Sequence, residues 1–205
     1  NRAALAITPD GGKLVNTPHY TSNDNRQIQK AEFFIDDKGN ATCKAETRYE
    51  GLQFDFYLNQ EDQSPQEREK WLYKNLDMKG FSIESFHYER LDDTLPAGKR
   101  SLSLEIKGYA QKSGNRLFIP LNQMNKRTYI PNRLENRQSD VLVRLSYHDT
   151  ATISMKIPDG YKVEYMPKPQ HYESVMGQYS MNVTKEENTI FFTRDIVVHK
   201  GIYDK

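Results

Sequence analysis

The one thiol in this 205-residue chain is Cys43. A thiol becomes a nucleophile when an imidazole or a helix N-terminus holds it as the thiolate. Cys43 instead alternates with Ala41, Ala45, Thr47 and Tyr49, opposite Thr42, Lys44, Glu46 and Arg48. That period of two predicts a small core residue in mid-strand, with a cysteine hydrolase built on Cys43 the least favoured function. The five histidines, at 19, 87, 148, 171 and 199, are dispersed. None forms the i, i+4 pair of a zinc helix, and CxxC and HExxH are absent, so no metal or other cofactor is expected. His148-Asp149 is read as part of a hairpin turn, where Asp is favoured for its own backbone bonding. Arg194 is the most distinctive polar residue, because it occupies the apolar phase of Ile190, Phe192, Ile196 and Val198. An arginine facing the interior needs a carboxylate partner. Aromatic residues crowd the C-terminal part, and Tyr161, Tyr165 and Tyr172 with Arg194 form the candidate binding surface for a glycan or peptide. Core packing of Tyr161 and Tyr165 beside Val163 is the competing reading.

The elements that must position these residues are mostly strands. Ala3–Ile7 and Lys13–Thr17 flank Thr8-Pro-Asp-Gly-Gly12, a hairpin turn. A polar linker follows to residue 25. Strands over 27–35 and 40–49 enclose a turn at 36–40, and the phase then slips at Glu50-Gly51, predicting a bulge or bend. Leu52, Phe54, Phe56 and Leu58 continue the alternation as a strand. Ser64 to Leu76 is the one expected helix, with Ser64 as cap, Pro65 in the first turn and Glu67 closing a capping box. Strands are expected again over 81–91, 101–107 and 115–121, then an irregular charged stretch over 124–139, then a run of strands from Val141 to Val198. The fold class is mostly β: an antiparallel β-sandwich with one short α-helix packed on the N-terminal part. Residues 1–25 read as a terminal hairpin and linker, and 26–205 as the sandwich, divisible into 26–121 and 140–205.

The charge balance is even, with 29 basic against 28 acidic residues. No basic stripe suits a phosphate backbone, so nucleic acid is not an expected partner. No apolar run reaches membrane-spanning length, so membrane insertion is not expected. A single cysteine excludes an internal disulfide. The opening AALAITPDGG reads as mid-structure, which predicts a fragment or excised domain.

Several phrases together resemble a bacterial family. AALAITPDGGKLVNTP resembles the final hairpin of a papain-like, transglutaminase-like core. Tyr49-Glu-Gly51, GNRLFIPLN at 114–122, IPDGYKVEYMPKP at 157–169 and MGQYSMNV at 176–183 resemble the β-rich C-terminal domain of unknown function that follows such cores. The resemblance implies an accessory, non-catalytic domain of a protein exported to the periplasm or cell envelope. Its partner would be the upstream transglutaminase-like core of the same chain, with a protein or glycan as a further partner. The family's Cys-His-Asp set belongs to that core and matches nothing here, so no catalytic residue carries over. Asp93-Thr94-Leu95 and Asp149-Thr150-Ala151 fit a short bacterial O-glycosylation pattern, making Thr94 and Thr150 candidate acceptors in expected loops or turns. An independent glycan- or peptide-binding β-sandwich is the alternative.

Overall fold

The computed structural model describes residues 3–17, 19–126 and 136–204. Residues 127–135 of the expected irregular stretch lie outside the described residues. The chain is mostly β, antiparallel-rich and sandwich-like, with two short α-helices among the described residues. Its body is one continuous sheet of eight strands. Four come from the first part of the chain: β3 (Arg26–Ile35), β4 (Ala41–Glu50), β5 (Phe81–Leu91) and β6 (Ala97–Ile106). Four come from the last: β10 (Tyr147–Lys156), β11 (Gln170–Ser174), β12 (Gly177–Glu186) and β13 (Thr189–Val198). The order across the sheet is β11-β12-β13-β10-β3-β4-β6-β5. Every neighbouring pair is antiparallel except β10 and β3, which run parallel and join the two sets. Small ribbons complete the strand list: β1 (Ala3–Thr8) with β2 (Gly11–Asn16), β7 (Gln111–Ser113) with β8 (Arg116–Phe118), and β9 (Val141–Val143) with β14 (Gly201–Tyr203).

One face of the large sheet is dry. Alternate residues Ala31, Phe33 and Ile35, Cys43 and Ala45, Leu102 and Leu104, Ile153 and Met155, and Val183, Ile190 and Phe192 form a single buried cluster. Among the described residues the opposing layer is helix and irregular chain rather than a second large sheet: Leu72 comes from a helix and Leu76 from its C-terminal cap, Leu117, Ile119, Leu121, Met124, Tyr161, Val163 and Met166 from the segments beyond β7 and β10. The other face carries Lys30, Glu32, Lys44, Glu46, Ser101 and Ser103, all accessible. The alternation that reads as half-buried strands is therefore literal.

The expected helix is present as α2 (Pro65–Asn75). The Glu67 N–H donates to Ser64 Oγ at 3.3 Å and the Ser64 N–H to Glu67 Oε2 at 3.0 Å, which satisfies donors the first turn would otherwise orphan. The strand expected over 52–58 is not there. A 3-10 turn at Gly51–Gln53 leads into α1 (Phe54–Glu61). The reason is tertiary. Gly51 has φ +60° and a side chain there would meet Asp24 O at 2.3 Å, so the bend expected at 50–51 takes the chain off the sheet. Asn25 Oδ1 then accepts the Leu52 N–H at 2.9 Å. Phe54 and Tyr57, one turn apart, seat the helix over Gly98, where a Cβ would stand 2.8 Å from both rings. Packing overrides the strand preference of FDFY.

The hairpin turn expected at His148-Asp149 is also displaced. Both residues lie inside β10, and the interruption falls at 144–146. Asp149 is an inward-facing polar residue held by bonding rather than by a turn. Gln53 Nε2 donates to Asp149 Oδ1 at 2.8 Å and to Asn25 O at 3.1 Å, and Asn25 Nδ2 donates to Ser146 O at 2.9 Å. The His148 N–H reaches Asn25 O at 3.0 Å. This buried polar knot ties the start of β3, the entry to α1 and the start of β10 together.

Candidate functional site

The segments 115–121 and 160–167 both lay apolar side chains on the core of the sheet: Leu117, Ile119 and Leu121 at alternate positions from one, Tyr161, Val163 and Met166 from the other. Between and around them lies a cleft of about 1070 Å³. Its floor includes Tyr109, Ile157, Val183 and Ile190. Tyr109 is fixed from below by stacking on Phe33 at 4.7 Å and by donating its hydroxyl to Pro120 O at 2.8 Å. Phe118 and Tyr165 stand at the rim, both exposed, Tyr165 to 81%. Arg116 Nε meets Glu164 Oε2 at 2.9 Å, joining the two segments on their solvent side. The cleft offers apolar and aromatic contact along its floor, with the polar side chains of Gln111, Asn115, Arg116, Lys162 and Glu164 around it, the mixture common in ligand pockets.

Two of the four residues proposed as a binding surface meet here. Tyr161 packs against the core with Val163, while Tyr165 lines the same cleft but does not pack inward. Tyr172 is elsewhere, on β11, exposed beside Tyr179 and donating to Gln170 Oε1 at 3.0 Å. Arg194 faces the interior as its phase predicts, and its Nη1 donates to the Asn125 carbonyl. Of the two threonines, Thr94 is exposed in the loop before β6, whereas Thr150 is half-buried within β10. The loop expected at Thr150 is thus a central strand, because Asp149 and Ala151 beside it both face the core.

Cys43 is 1% exposed, with Sγ 3.7 Å from Met124 Sδ, and burial pushes its thiol up to about 12. That is a packing environment, opposite to the one that stabilises a thiolate. His148 Nε2 lies 2.7 Å from Asp195 Oδ2 on the adjacent strand, a cross-strand contact of the sheet. No group of three or more metal-ligating side chains occurs among the described residues. No helix there is long and apolar enough to cross a membrane.

The sequence reading missed a polar row that crosses the dry face. Arg194 pairs with Ala151, Ala151 with Gln29, Gln29 with Thr47, Thr47 with Arg100, and Arg100 with Tyr88. It separates the main core from a smaller aromatic one built on Tyr49, Phe54 and Tyr57. The signal was available: Arg100 holds the apolar phase of Leu102, Leu104 and Ile106, just as Arg194 does in its own strand.

Residues 115–205 match the family profile of DUF3858, a domain of unknown function with a solved structure. No curated protein and no solved structure matches the chain. The matched segment, less than half of the chain, supplies strands β10 to β13 and both cleft walls, while Arg100 and the helices lie before it.

Proposed function

We propose that this chain is a non-catalytic accessory module of an exported, transglutaminase-like protein, and that the β1–β2 ribbon is where the module meets the catalytic core. The ribbon carries this reading. It makes no extensive contact with another element among the described residues, yet it presents Leu5, Ile7 and Leu14 at 67%, 88% and 73% exposure. An isolated two-stranded ribbon is marginal in water, and apolar side chains gathered on one suit a covered position. The core-type environment of Cys43 supports the non-catalytic part. Amide hydrogen exchange tests the docking. The ribbon amides of the 205-residue chain should exchange at nearly unstructured rates, and should become protected at least about a hundredfold when the preceding coding sequence is expressed with it. Equal exchange in both forms would remove the ribbon as a contact.

The cleft favours a second reading, a groove for an extended peptide or a glycan. Peptide and glycan arrays probed with the chain should show enrichment, abolished by replacing both Phe118 and Tyr165 with serine. Both side chains are exposed, so the fold should survive and the comparison stays clean. Arrays without enrichment would dismiss the groove.

A further inference from the structure

The geometry points to a second, separate site: a buried oxyanion position, for a carboxylate or phosphate group, formed by Arg68, Arg100, Tyr57 and Tyr88 between the two helices and strands β5 and β6. Arg100 is only 6% exposed. Its guanidinium lies 5.7 Å from the Tyr49 ring centre and 5.9 Å from that of Trp71. Among the described residues no carboxylate forms an ion pair with it, and its Nε has no hydrogen-bond partner. Arg68 approaches from α2, its guanidinium 5.4 Å from the Tyr88 ring centre, with Nε buried and equally without a partner. Its Nη2 is taken by the Glu61 carbonyl.

Tyr88 therefore sits with one arginine over its ring and another directly opposite it on β6. Its hydroxyl lies near Arg100 without a hydrogen bond of good geometry, and is buried without a partner. Tyr57, its ring 5.6 Å from that of Tyr88, has a hydroxyl in the same condition. The nearby carboxylates are engaged elsewhere: Glu61 by Arg90 at 2.5 Å, Glu89 by Lys99 at 2.9 Å. One buried guanidinium, a second that is half-exposed but has a buried Nε, and two buried hydroxyls, each with an atom left without a partner in one neighbourhood, are costly unless an acceptor of negative charge answers them. A planar carboxylate or a phosphate supplies several strong acceptors to guanidinium donors. Cation–π contact with Tyr49 and Trp71 holds Arg100 without using its N–H groups. Arg68 and Tyr88 are half-exposed and give the site its opening.

Trp71 is the single tryptophan of the chain and stands beside Arg100, so it reports on the site. Titration of the full chain with inorganic phosphate, and separately with acetate, at ionic strength held constant with chloride, should change its fluorescence saturably and raise Tm with the same midpoint. A response to phosphate alone assigns a phosphate group, and a response to acetate alone or to both assigns a carboxylate-sized oxyanion. Arg68→Gln should weaken the response about tenfold or more, and Arg100→Met should abolish it. Should Arg100→Met not fold, Arg68→Gln still decides, because Arg68 lies on a capped helix at the edge of the site. Fluorescence and Tm indifferent to both anions, or an Arg68→Gln chain that responds as the parent does, would overturn the assignment.

Discussion

Asn25→Ala should lower the stability of the chain by about 3–5 kcal/mol, read as a drop in the urea midpoint at unchanged slope. The side chain is fully buried and answers two backbone groups in different parts of the chain, the Ser146 carbonyl and the Leu52 N–H. Alanine removes both partners and leaves a donor and an acceptor unbonded, at roughly 1–3 kcal/mol each. A small cavity adds to the loss. Asn25→Asp is the informative control. It keeps an acceptor for Leu52, loses the donor to Ser146, and brings a second carboxylate to a knot that already contains Asp149. It should therefore be at least as destabilising as alanine. A change below about 1 kcal/mol in both variants would show that the knot is not a structural tie.

Cys43 should be silent to thiol reagents in the native chain, reacting at least about a thousandfold more slowly than in denaturant. Burial pushes its thiol from 9.0 up to about 12, which alone lowers the thiolate fraction by three powers of ten at neutral pH. The same shift has a signature in stability. The unfolded chain loses this proton near pH 9 while the native chain keeps it, so above pH 9 the native state binds more protons. Stability contributed by the neutral thiol is thus complete below pH 9 and declines at up to about 1.4 kcal/mol per pH unit until about pH 12. Cys43→Ala should remove that onset. Burial also raises Tyr57, to about 12, and Tyr109, so a later alkaline loss remains in the variant. Rapid native labelling would instead support a hydrolase built on this thiol.

Local chemistry was legible in the sequence, and long-range choice was not. The capping box of α2 is written in four consecutive residues, Ser64 to Glu67, and needs no knowledge of the rest. The turn at 36–40 is equally local: the Asp36 carboxylate accepts from Lys38, from the Asn40 N–H and from the Asn40 side chain. The dry side of β3, β4 and β6 follows from period-two alternation, and with it the inward direction of Arg194 and the burial of Cys43. The failures share one cause. FDFYLNQE alternates as a strand does, and becomes a helix because Asn25, 27 residues away, takes the Leu52 N–H. Asp149 resembles a turn residue until Gln53, 96 positions away, is found against it. The cleft depends on two segments from different stretches of chain, and no spacing within either predicts their meeting. Arg100 is the exception, since its phase was readable and only its surroundings were not.

The parallel seam between β3 and β10 bears on how the protein can be cut. It lies in the middle of the sheet and joins Ala31, Phe33 and Ile35 to Ile153 and Met155 within one apolar layer. The stretch that carries a family likeness begins on the far side of that seam. Excised alone, it would bare the backbone of β10 along one whole side and half of a greasy surface beneath, an adhesive margin of the kind that recruits stray strands. The matched segment and the continuous sheet thus have different boundaries, and the sheet extends past the match.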